Sequence, residues 1–71
     1  MKYKIGDIII WKCTIKTNIG IYISYYPDYK IEKIIKDKYP LVCSCKFEKN
    51  TVSFKESEVI IQNDLTKALY L

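Results

Sequence analysis

From Leu41 to Glu48 the side chains change character at every step: Leu41, Cys43, Cys45 and Phe47 fall on one side, Val42, Ser44, Lys46 and Glu48 on the other. A period of two is what a pleated strand produces when one face is dry and the other mostly wet. Nothing else in the chain restricts its fold as strongly. The polar link Lys49-Asn50-Thr51 is short enough for a hairpin, and Val52 to Phe54 restarts a β-favouring run behind it. Beyond Phe54, Lys55-Glu56-Ser57-Glu58 is too polar and too short to build a core element, while Val59 to Ile61 is β-branched again. That pattern predicts a single 3-10 turn near 55–58 between two strands. Residues Tyr39 to Ile61 therefore read as most of a small barrel, with the two cysteines and Phe47 directed into its core.

The first half of the chain carries two more strand signals. Lys4-Ile5-Gly6-Asp7 is a turn entry, and Ile8 to Ile15 is rich in strand-favouring side chains. Asn18-Ile19-Gly20 punctuates the chain, and Ile21 to Tyr26 forms a second β-rich run that ends at Pro27-Asp28. Residues 28–38 admit two readings. Asp28 as a cap, Ile31, Ile34 and Ile35 at helical spacing, and Glu32 one turn before Lys36 suit an amphipathic helix. The density of isoleucine suits a strand, provided that a bend near Lys33 turns Ile31 and Ile34 to the same side. The strand is the preferred reading. At the end of the chain, Asp64 as a cap and Leu65, Ala68 and Leu69 as apolar positions suit a short helix or a turn.

With 71 residues the chain is long enough for one domain, and a domain of this size buries only about 60% of its unfolded surface, so few side chains can be spared from the core. At 49% apolar residues, with seven Tyr, it is too hydrophobic to remain disordered. The longest apolar run, Ile8 to Trp11, has four residues, against about 20 for a membrane span and about 7–15 for the core of a signal peptide. A cytoplasmic protein without membrane attachment is expected. Three cysteines, Cys13, Cys43 and Cys45, cannot all pair, and they do not have the even spacing of a disulfide scaffold.

The same counts argue against several chemistries. There is no histidine, which removes both the usual general base near neutral pH and half of the usual zinc ligand set. Gly6 and Gly20 form no phosphate-cradling loop, and the acids are scattered among lysines. No constellation suits catalysis. No metal, no cofactor and no enzymatic activity are expected.

Four segments, taken in order, resemble the layout of small SH3-like barrel proteins of bacteriophages and prophages. They are Lys4-Ile5-Gly6-Asp7-Ile8, Ile31-Glu32-Lys33-Ile34-Ile35, Tyr39-Pro40-Leu41 and Phe54-Lys55-Glu56-Ser57-Glu58-Val59. The stretch from Thr14 to Tyr26 is longer than in that layout. The resemblance implies a mainly β, five-stranded SH3-like barrel over residues 1–71. It also implies a mobile-element origin and a partner in the host cell, such as a host enzyme or a defence component like a CRISPR nuclease. Many such proteins have no assigned activity, so the resemblance speaks to fold before function.

Charge and tyrosine direct the search for a working surface to the first half. Residues 1–38 hold eight Lys against four acids, whereas residues 39–71 hold four of each, so the net charge of +4 belongs to the first half. Lysine without arginine neutralises phosphate but gives up bidentate reading of guanine. Lys2, Lys4, Lys12, Lys16 and Lys30 are the candidates for contact with nucleic acid; alternatively they form a solvated face that keeps a small domain soluble. Tyr22, Tyr25, Tyr26 and Tyr29 cluster around Pro27-Asp28 beside Lys30 and Lys33, and a barrel this small cannot bury every ring. These six residues are the candidate surface for a protein partner, because exposed tyrosines supply contact area at low entropy cost; the same rings also suit stacking on the bases of single-stranded nucleic acid, or simply covering the barrel rim. A homo-oligomer joined by an exposed strand edge is a third expectation.

Overall fold

The computed structural model of the chain describes residues 2–71, and its elements follow the expected strand order. β1 (Ile8–Thr17) and β2 (Gly20–Ile34) form a long hairpin, followed by β3 (Leu41–Ser44), β4 (Val52–Phe54), a 3-10 turn (Glu56–Glu58), β5 (Val59–Ile61) and α1 (Asp64–Tyr70). All strand pairs are antiparallel, in the order β4-β3-β2-β1-β5. This meander, with its last strand returning beside its first through a 3-10 turn, has the SH3-like arrangement expected from the sequence.

The sheet curves because β2 is bent twice. Ile9 pairs with Tyr29 and Trp11 with Tyr26, so Pro27 and Asp28 together face the single residue Ile10. That extra residue is a β-bulge, and Asp28 accommodates it at a left-handed φ of 67°, a region that aspartate tolerates better than most side chains. The second run therefore does not end at Pro27-Asp28. It passes through the bulge as one strand to Ile34, and residues 28–34 are strand, not helix. A second irregularity lies between Ile31 and Lys33, so that Ile31 faces Cys43 and Lys33 faces Val42. Ile31 is fully buried and Ile34 packs against the core, as the bend predicted near Lys33 requires.

The core gathers Tyr3, Ile9, Ile31, Leu41, Cys43, Phe54 and Val59, with Trp11, Tyr29, Ile34, Val52 and Ile61 packed around it. Tyr3 contributes its ring and donates its hydroxyl to Val59 O at 3.0 Å. The entry turn is fastened to the second bend of β2: Gly6, at φ 94°, donates to Ile31 O at 2.8 Å, and Ile31 N donates to Asp7 O at 2.9 Å. Only a residue without a side chain adopts that φ at little cost.

Several local expectations are corrected. The alternation after Ser44 has no partner strand, because β3 and β4 pair only as far as Cys43 and Val52. The chain leaves the sheet there, the link to β4 runs over residues 45–51, Cys45 is half-buried and Phe47 is 85% exposed. Cys43 is in the core as expected, whereas Cys45 and Phe47 are not. Val42, expected on the wet face, is buried. The helix cap is Asn63 and not Asp64: the Asn63 side chain accepts from Thr66 N, and Thr66 Oγ1 accepts from Asn63 N, both at 2.9 Å.

Candidate functional site

Past Lys12 on β1 and before Tyr26 on β2, the long hairpin contributes nothing to the core cluster. Its strands stay paired out to Thr17 and Gly20, and Thr17 Oγ1 braces the turn by accepting from Ile19 N and donating to Gly20 O at 3.0 Å. The result is a two-stranded arm, exposed throughout from Thr14 to Ile23. The radius of gyration is 12.5 Å, above the ~11 Å of a compact chain of this length. On the arm Ile15, Ile19, Ile21, Tyr22 and Ile23 are all exposed, Ile19 by 85%. The stretch from Thr14 to Tyr26 forms most of this arm.

Cross-strand pairing sorts the side chains onto two faces, since partners in an antiparallel pair share one face. Trp11 with Tyr26, Cys13 with Ser24, and Ile15 with Tyr22 lie on the face continuous with the core. Lys12 with Tyr25, Thr14 with Ile23, and Lys16 with Ile21 lie on the outer face. There Tyr25 meets Tyr70 of α1, with ring centroids 4.9 Å apart.

At the base of the arm an aromatic row closes the core. Trp11 lies near-parallel to Phe54 (5.2 Å, 29°) and to Tyr26 (5.3 Å, 30°), and Tyr29 stands edge-on to both Trp11 and Phe54. The indole Nε1 is buried without a hydrogen-bond partner among the described residues. Beside this row is an open-sided pocket of about 360 Å³, walled by Trp11, Tyr26 and Tyr29 on one side and by Cys45, Phe47 and Glu48 on the other. Pro27 and Asp28 complete the rim. Burial raises the Tyr29 phenol above its ordinary 10.0, with further contributions from the nearby Cys45 and Glu48, so the ring stays neutral and its hydroxyl can donate.

Asp28 reaches the rim because the bulge puts it there and Gln62 holds it. Its backbone N donates to Gln62 Oε1, and Gln62 Nε2 donates to Asp28 Oδ1, both at 2.8 Å. This two-way clamp ties the left-handed residue to the segment between β5 and α1. Strain of this kind is tolerated where the surroundings over-determine it.

The candidate protein-binding residues are divided by the fold. Tyr26 and Tyr29 enter the pocket, Tyr22 lies farther along the same face, and Tyr25 points to the opposite face. Lys30 and Lys33 are exposed but outside the pocket. Of the candidate nucleic-acid lysines, Lys12, Lys16 and Lys30 alternate onto the outer face, while Lys2 and Lys4 are exposed in the N-terminal segment. The pocket's far wall is hidden in the sequence, because its alternation directs Cys45 and Phe47 to the core. Among the described residues there is no group of three or more His, Cys, Asp or Glu able to hold a metal ion, and no helix is long and apolar enough to cross a membrane. No protein-family model matches the chain, and neither does any curated protein or solved structure.

Proposed function

We propose that this chain is a non-catalytic binding module whose partner is a protein, engaged through the core-side face of the arm and the aromatic pocket at its base. The arm carries this reading. Ile15 on that face and Ile19 at the tip stand exposed on a ribbon that adds nothing to the core, and clustered exposed apolar area marks interaction surfaces in small soluble domains. Tyr22 and Tyr26, 51% and 46% exposed on the same face, add the aromatic contact area that dominates interface energies. By its resemblance to phage and prophage barrels, the partner would be a host factor, an enzyme or defence component that the module occludes.

The test compares capture from the host extract by the parent chain and by an Ile15→Ser, Tyr22→Ser double variant, both positions lying on the core-side face. Such exposed positions change stability by about 0.5 kcal/mol or less, so a matched circular-dichroism melt separates lost binding from lost folding. The expected result is a partner held by the parent and released by the variant. Equal retention by both would remove the arm from the interface.

One observation favours a second reading, contact with nucleic acid. From Ile8 to Pro27 the chain has two lysines and no acid, and Lys12 and Lys16 share the outer face with Ile21, Ile23 and Tyr25. Binding through lysines would be insensitive to sequence and steeply salt dependent. An anisotropy titration with labelled single-stranded DNA at low and at moderate salt decides it, and absence of binding at low salt eliminates this reading.

A further inference from the structure

The pocket at the base of the arm has the opposite charge to the chain around it. The protein holds twelve lysines against eight acids, yet the pocket lining includes two carboxylates, Asp28 and Glu48, and no lysine. The remaining walls are mostly ring. Trp11 already has near-parallel neighbours in Phe54 and Tyr26, so the accessible ring surface belongs to Tyr26 and Phe47, 46% and 85% exposed. Electron-rich ring faces beside carboxylates attract a cation and discriminate weakly among neutral groups.

Two further details point the same way. Asp28 is held on the rim at a φ of 67° by both hydrogen bonds of Gln62, and only its Oδ1 is used, which leaves Oδ2 without a hydrogen bond among the described residues. Lys46 already places its ammonium 5.5 Å from the centroid of the Phe47 ring. The chain itself thus offers a cation to one ring of the pocket, from outside the lining.

We propose that this pocket receives a cationic side chain, arginine or lysine, presented by the protein partner, with Tyr26 and Phe47 packing on its stem and Asp28 and Glu48 accepting from its head. The proposal rests on the protein-binding reading above. The pocket volume of about 360 Å³ lies at the lower end of the range of about 300–1,000 Å³ for sites that take small ligands. That suits one long side chain and excludes a folded element. Arginine is favoured over lysine because its planar fork can meet two carboxylates while stacking on a ring.

The test uses blocked Gly-Xaa-Gly tripeptides with Arg, Lys, norleucine or Glu in the centre. Binding is followed through the fluorescence of Trp11, the only tryptophan, and located by amide and indole NMR shifts. The expected order is Arg, then Lys, with Arg at least about tenfold tighter than norleucine, the equivalent of ~1.4 kcal/mol. Glu48→Gln and Asp28→Asn should each weaken Arg binding by about three- to tenfold, and Asn retains both the left-handed φ and the Oδ1 acceptor for Gln62. Lys46→Gln should strengthen it by removing a competing charge.

Norleucine binding as tightly as Arg would reduce the pocket to an apolar groove and overturn the proposal. So would tighter binding of the Glu peptide, shifts that map elsewhere, or no shift at about 50 mM peptide, well beyond the millimolar affinities of weak sites. The two readings fail separately. Loss of Arg binding with arm-dependent partner capture intact removes only the cation receptor, whereas Arg binding without arm-dependent capture removes the protein interface assigned to the arm.

Discussion

Cys43 shows how much a single position in a small core is committed to packing. It is fully buried, its Sγ–H directed at Leu41 O at 3.7 Å, and burial, with a smaller contribution from Glu32, pushes its thiol from 9.0 up to about 11. At neutral pH it is a hydrophobe with a proton. Between pH 9 and about 11 the folded chain keeps that proton while the unfolded chain has released it, so stability falls as pH rises through this window. The loss should reach up to about 1.4 kcal/mol per pH unit. Urea melts at stepped pH should show a slope that Cys43→Ala lacks, against the shared background of tyrosine and lysine titration. Asp28 is the other position where one residue carries a structural decision. Asp28→Gly, free to adopt φ 67°, should fold with a loss of about 1 kcal/mol or less, while Asp28→Val should lose more, about 1–3 kcal/mol, because a β-branched side chain is strained there. If both variants melt alike, the bulge does not depend on the residue.

Among the elements, α1 is held most loosely. None of its seven residues is buried, and Leu65, Leu69 and Leu71 are each more than half exposed. Its attachments are the Asn63–Thr66 capping box, Thr66 Oγ1 donating to Ile61 O at 2.7 Å, and the Tyr25–Tyr70 ring contact. A helix of this length is marginal without its cap. Asn63→Ala should cost about 1 kcal/mol locally, with faster hydrogen exchange confined to 66–71 and little change in the global melt. Exchange spread across β5 and β1 would mean that the helix is part of the cooperative unit. The strands were more legible from sequence than their ends. Ile8 to Ile15 grew by two residues to Thr17, because Thr17 and Gly20 could still pair across the turn. Residues 45–48 kept the alternation of a strand without becoming one, because no partner strand reached them.

At the scale of the whole molecule, the outermost strands β4 and β5 have three residues each, while along the arm β1 beyond Trp11 and β2 before Lys30 pair only with each other and leave their outer edges open. The short edges of β4 and β5 offer few free backbone groups for a second copy to pair with, so a copy would have to add at the arm; with a different protein as the occupant of the arm, static light scattering should report the 8.4 kDa of one chain. Twice that mass, collapsing to one chain in the Ile15→Ser, Tyr22→Ser variant, would make a second copy the occupant of the arm. Side-chain periodicity, turn residues and length determined a mainly β barrel with a 3-10 turn and a terminal helix or turn, because those are properties of neighbouring residues. They also placed Cys43 in the core and a bend near Lys33. Only the tertiary structure decided which side chains share the pocket. Trp11, Tyr26 and Phe47 come from β1, β2 and the loop after β3, and they meet because a bulge, a register and a strand end were set by pairing partners distant in the chain.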